Sequence, residues 1–168
     1  MSRKKQFSHP RLLSTQRPAQ PPVPADGDEI FCSGVITTNI TALLEWLAQQ
    51  DLPVIEMPVD LWYSSYSREE CYVEAADLSR PILIAEIAPD YKDFIPDIPE
   101  DHWLSRGYSC IDGYHRLEKA KRLGIQTLPA IVLRMEQHIP FAYVGYDRYV
   151  EYWNRKLQER CADAKQQK

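Results

Sequence analysis

No run in the 168 residues approaches the length of about 20 consecutive apolar positions that a membrane-crossing helix needs, and no apolar core follows the basic residues at the N-terminus. The sequence therefore predicts a soluble, cytoplasmic protein with no membrane partner. Cysteine is sparse. The four stand at positions 32, 71, 110 and 161, with no C-x-x-C pair and no histidine at zinc-finger distance, which argues against a structural zinc site and a disulfide framework. Reduced, mostly buried thiols are expected. Also missing are the Gly-x-x-x-x-Gly-Lys-Ser/Thr loop, the Gly-x-Gly-x-x-Gly fingerprint and the Gly-x-Ser-x-Gly turn. Walker-type and Rossmann nucleotide sites and a hydrolase triad thus have no support.

What is present is globular material with uneven charge. At 44% hydrophobic and 26% charged, a chain of this length suits one domain. The net charge of −4 conceals a segregation: residues 1–22 carry five Lys/Arg and no acid, 23–110 four basic and seventeen acidic residues, and 111–168 eleven basic and seven acidic. An anionic ligand or DNA would be drawn to the C-terminal portion or the N-terminal arm, and the acidic middle argues against a large DNA footprint.

Prolines at 10, 18, 21, 22 and 24 with little periodicity mark residues 1–29 as a flexible basic arm before a single domain over 30–165. Thr38 or Asn39 is placed to cap a helix whose apolar face is Ile40, Leu43, Leu44 and Leu47. A strand is expected over 54–59. Ser67 and Glu70 have capping-box spacing for a helix to about residue 78, and 81–87 reads as the next strand. The proline-rich, acidic stretch 88–107 is a candidate lid or partner surface, or a cover for a sheet edge. The 35 residues after Leu133 suit one long helix, placed at about 146–165 by Tyr149, Trp153, Leu157 and Cys161 recurring every fourth position.

The chemistry concentrates in 110–116, Cys-Ile-Asp-Gly-Tyr-His-Arg. Residues 108–111 read as a short buried strand. Leu117, Ala120 and Leu123 recur at helical spacing, and Gly124 stands where a left-handed stop belongs. Asp112 to Arg116 therefore occupy a helix start, where free N–H groups and the helix dipole favour an anion. Gly113 would admit a phosphate to close backbone approach, while His115 and Arg116 add donors matched to its oxygens. Asp112 either caps the helix or holds Mg²⁺, and His115 is a phosphate donor, a general acid or a bonded partner of Asp112 or a carbonyl. Arg116 is either a phosphate ligand at the site mouth or the partner of an acid between 90 and 101. Lys119 would lengthen the electropositive lip, and Lys121 and Arg122 face solvent. Glu86 and Glu56 are acids that a metal-dependent or kinase-like mechanism would use.

A hydrophobic strand, D-G-x-H-R, an alanine-bearing helix closed by Leu-Gly, a Leu-Pro-Ala-Ile-Val strand and the earlier Pro-Ile-Leu-Ile-Ala strand together resemble the ParB/sulfiredoxin superfamily over about residues 53–135. The resemblance implies a compact mixed α/β (α+β) sheet with flanking helices and a site for nucleotides or phosphoryl substrates at the turn. Sulfiredoxin-like members carry a catalytic cysteine where this chain has Tyr114, so sulfinic-acid reduction is not implied. The Gly-Glu-Arg-Arg motif and long helical DNA-binding region of chromosome-partitioning members are also missing. What remains resembles the small stand-alone members: fertility-inhibition factors described as ATPases and DNA nucleases, and free amino-acid kinases. Membership of that group implies an ATP-binding, Mg²⁺-dependent phosphohydrolase with DNA nuclease activity in a plasmid- or phage-related inhibitory role. In that role Asp112, His115 and Arg116 are catalytic, Gly113, Tyr114, His115, Arg116 and Lys119 hold the nucleotide, and Asp112 with Glu86 holds the metal. The alternatives are a metabolite kinase with Glu56 or Glu86 as base, and a non-catalytic, nucleotide-regulated module that binds a protein through 88–107 or the arm.

Overall fold

The computed structural model describes residues 12–16, 23–33, 36–62, 69–89 and 107–166. In chain order the elements are β1 (Ile30–Cys32), β2 (Thr37–Asn39), α1 (Ile40–Leu47), β3 (Val54–Pro58), α2 (Glu70–Ala75), β4 (Ile82–Glu86), β5 (Tyr108–Asp112), α3 (Tyr114–Arg122), β6 (Thr127–Leu133), α4 (Met135–His138), β7 (Ala142–Val144) and α5 (Tyr146–Gln166). This is the expected mixed α/β class, with the strands divided between two sheets. Among the described residues no helix is long and apolar enough to cross a membrane.

The central sheet has the order β3-β6-β4-β5, with β4 and β6 parallel and the other pairs antiparallel. All five residues of β4 are buried, as a strand covered on both faces requires. Its side chains divide by alternation: Ile82 and Ile84 pack with Leu117 and Ala120 of α3, while Leu83 and Ala85 pack with Ile40, Leu43 and Leu47 of α1. Asn39 caps α1 by accepting from the Ala42 amide at 3.0 Å, as the spacing predicts. The smaller sheet, β1-β2-β7, is antiparallel throughout. Against it the aromatic stripe of α5 is buried: Tyr149, Val150 and Trp153 pack with Ile36, Met135 and Ala142.

Several expectations are corrected. Helix α2 ends at Ala75, short of residue 78; the proposed cap Ser67 lies outside the described residues, and Glu69 occupies the cap position. Residues 134–145 add α4, a 3-10 turn containing Pro140 and strand β7 ahead of α5, because proline and Gly145 at φ +80° interrupt a continuous helix. The thiols of Cys32 and Cys71 are exposed and only that of Cys110 is buried among the three described. Cys32 ends an edge strand and Cys71 sits on a short surface helix. The stretch expected to be a flexible arm is held at two places. Leu13 is buried against α5, and the Glu29 amide and carbonyl bond to Thr41 Oγ1 and the Ile40 amide at the start of α1. Residues 90–106, most of the candidate lid, lie outside the described residues.

Candidate functional site

The β5–α3 turn has the predicted form. Asp112 ends β5, Gly113 turns the chain at φ +109°, and Leu117 N–H closes the first turn of α3 on the Gly113 carbonyl at 2.9 Å. Gly113, not Asp112, is the N-cap, and no side chain caps the helix. At the far end Gly124 takes the expected left-handed conformation, φ +68°. The glycine at 113 serves packing: a Cβ there would stand 2.5 Å from Ile82 Cγ2 and 3.2 Å from Arg116 Nη2. Its missing side chain thus makes room for β4 and for Arg116, and the residue also lines the cleft beside the turn.

Arg116 is 8% exposed, and its fork is already engaged. Nη1 donates to the carbonyls of Arg80 (3.1 Å) and Pro81 (2.6 Å), and Nη2 donates to Asp112 Oδ2 at 2.7 Å. The guanidinium therefore ties the entry of β4 to the exit of β5 and belongs to the floor of the site, not its mouth. Asp112 neutralises it instead of capping the helix. The acids between 90 and 101 that were its alternative partners lie outside the described residues. Tyr114 folds back so that its hydroxyl donates to the Cys110 carbonyl. Lys119 Nζ donates to the carbonyls of Glu74 (2.7 Å) and Ala76 (2.8 Å), closing the C-terminal end of α2, where helix carbonyls lack internal partners. It does not line the cleft beside the turn. Of the two side chains expected to face solvent, Lys121 donates to the Trp62 carbonyl at 2.6 Å and Arg122 pairs with Glu118 and Glu70.

That cleft, about 550 Å³, is walled by Glu29, Phe31, Tyr72, Asp77 and Arg80 as well as by residues 111–116. His115 lines it, its imidazole has no hydrogen bond among the described residues, and its ring lies 5.6 Å from that of Tyr72. Arg80 is exposed and forms no ion pair among the described residues. The Ser79 hydroxyl and amide both donate to Asp77 Oδ1 and hold its carboxyl below the ordinary aspartate value, so Asp77 stays ionised at the rim. Arg80, Asp77, Glu29 and Tyr72 were not among the sequence candidates. For Asp77 and Arg80 the signal is topological: β4 is antiparallel to β5, so the residues that enter β4 arrive beside the turn that leaves β5.

The two other acidic candidates are elsewhere. In the β4/β5 register Asp112 faces Leu83 while Glu86 faces Tyr108, about 10 Å further along the strand. The fold therefore does not bring Asp112 and Glu86 together at the turn. Glu86 is fully buried and paired with Arg134 Nε at 3.1 Å, and its backbone carbonyl meets His138 Nε2 at 2.6 Å. Glu56 lies on β3, across β6 and β4 from β5, where its carboxylate accepts from Thr127 Oγ1 at 2.7 Å. Neither lines the cleft, so neither is a base for phosphotransfer there. Among the described residues no three His, Cys, Asp or Glu side chains come together to hold a metal ion. Compared with protein-family models, curated proteins and solved structures, the chain matches none.

Proposed function

We propose that the cleft at the β5–α3 turn binds the phosphoryl group of a small ligand, with a nucleotide as the leading candidate. The observation that carries this reading is that the uncapped start of α3 opens onto a cleft of about 550 Å³ beside the imidazole of His115, which has no hydrogen bond among the described residues. A helix start without a side-chain cap offers N–H donors and the positive end of the dipole, and the volume lies within the usual range for small-molecule sites. Arg80 supplies exposed positive charge at the rim, while the Asp112–Arg116 pair fixes the turn. The ParB/sulfiredoxin resemblance of the same residues supports the nucleotide.

Mg²⁺ would enter with the phosphates. Such ions are commonly held by one or two carboxylates plus phosphate oxygens, and Asp112 is the carboxylate at the turn. The ion would supply neutralisation of phosphate charge. Phosphoester hydrolysis, including DNA cleavage, is the further step that the resemblance implies. Binding without turnover is favoured by the mutual engagement of Asp112 and Arg116. Transfer to a small metabolite lacks its proposed base in the cleft.

The test is thermal melting of the full chain with ATP, other nucleotides and inorganic phosphate, each with and without Mg²⁺. A ligand specific to the native state at 100 times its Kd adds about 2.7 kcal/mol of apparent stability. Phosphate release is then measured for any nucleotide that binds. No shift with any phosphate compound would sink the binding reading, and binding without release above background would leave the chain a nucleotide-binding module.

A further inference from the structure

Away from the cleft, the chain holds a segment of itself as a peptide is held. Leu13 is 7% exposed and belongs to one buried apolar cluster with Ile36, Ile139, Tyr146, Val150 and Trp153, whereas its neighbour Leu12 is 59% exposed. Asn154, on α5, grips the main chain of this same residue from both sides: its Oδ1 accepts from Leu13 N–H at 2.8 Å and its Nδ2 donates to Leu13 C=O at 3.0 Å. Tyr146 Oη donates to the Ser14 carbonyl at 3.5 Å. A carboxamide that satisfies the N–H and C=O of one residue reads extended backbone whatever its sequence, and a single apolar hollow then selects one side chain.

We propose that this face of α5 is a docking groove for an extended peptide with one leucine-sized anchor, and that residues 12–14 are its autoinhibitory occupant in cis. Two features set the segment apart from ordinary core. It is held by one apolar anchor, the bidentate clasp of Asn154 and the Tyr146 hydroxyl, and among the described residues it pairs with no strand. A tethered occupant meets its site at an effective concentration of about millimolar, so a partner peptide must compete with it, and loss of the anchor opens the groove.

A labelled peptide of residues 8–18 is titrated into the full wild-type chain, into Leu13→Asp and into Leu13→Asp/Asn154→Ala. The Leu13→Asp chain should bind it about tenfold or more tightly than wild type, and the added Asn154→Ala should remove that gain. Equal binding by wild type and Leu13→Asp, binding by neither, or undiminished binding by the double variant would overturn the proposal. So would failure of Leu13→Asp to fold, since a displaceable occupant cannot be indispensable core. Hydrogen exchange on the wild-type chain gives an independent reading. The Leu13 amide should exchange by local opening, faster than those of Val150 and Trp153, and exchange only together with them would show a fixed element.

Discussion

Each end of the central sheet carries an arginine–carboxylate pair, and the two differ in what surrounds them. At the β5–α3 end Asp112 and Arg116 are four residues apart on one turn, and the pair lines an open cleft beside His115, whose imidazole has no hydrogen bond among the described residues. At the opposite end Glu86 and Arg134 come from different segments of the chain, and the wholly buried carboxylate also accepts from the Met135 amide. The first pair shapes a surface that has donors to spare. The second closes the point where parallel strands β4 and β6 end together. Both arginines are spent on holding the fold, and the difference is the open space beside the first pair, which leaves room for a ligand there and none at the buried Glu86 carboxylate.

The largest effect should come from the closed end. Arg134→Ala leaves the Glu86 carboxylate buried without its charge partner, and we expect a loss of about 3 kcal/mol in denaturant unfolding, at the lower side of buried pairs because Arg134 is 40% exposed. A loss below about 1 kcal/mol would show that the pair is not what closes this end. Next is acid sensitivity. Burial pushes the His138 imidazole down from 6.5 to about 4, so between those pH values the unfolded chain binds a proton that the folded chain refuses. The corresponding stability, up to about 3 kcal/mol, is complete above pH 6.5 and drains away as pH falls to about 4. His138→Gln should flatten that part of the melting profile, and an unchanged slope would assign it to other groups.

At the open end Arg116→Ala should cost about 2 kcal/mol, since two carbonyls and Asp112 lose their donor, and Arg116→Lys should not restore the three-way fork. Loss of ligand affinity with unchanged stability would return Arg116 to the mouth of the site. The smallest effect on the fold should come from His115→Ala, within about 0.5 kcal/mol, accompanied by about tenfold weaker phosphate-ligand binding. A destabilised His115→Ala protein with intact affinity would erase the contrast between the two ends.

Much of the local structure was legible because its causes are local. Asn39 before an apolar stripe marked α1 and its cap; Asp-Gly between an apolar strand and Leu117, Ala120 marked the turn; Gly124 marked the stop. The four-residue spacing of Asp112 and Arg116 placed them near each other, yet periodicity could not tell whether the arginine would face solvent or reach the Arg80 and Pro81 carbonyls. Glu86 misled for the same reason, since a carboxylate at a strand end looks alike in sequence whether it lines a cleft or lies buried against Arg134. The short strands β1, β2 and β7 offered too few residues to show alternation.

Local chain chemistry was enough to place the strand, turn and helix of 108–124, because backbone conformation there follows from glycine φ, capping and apolar spacing over a few residues. The mixed α/β class follows from the same signals. Long-range packing had to settle that Arg116 is spent on β4, that Lys119 closes α2, that Asp77 and Arg80 join the cleft, and that Leu13 is clasped by Asn154. Those outcomes depend on strand order and direction, which bring hydrogen-bonded groups together from 35 to 141 residues apart, and no spacing along the chain encodes that meeting.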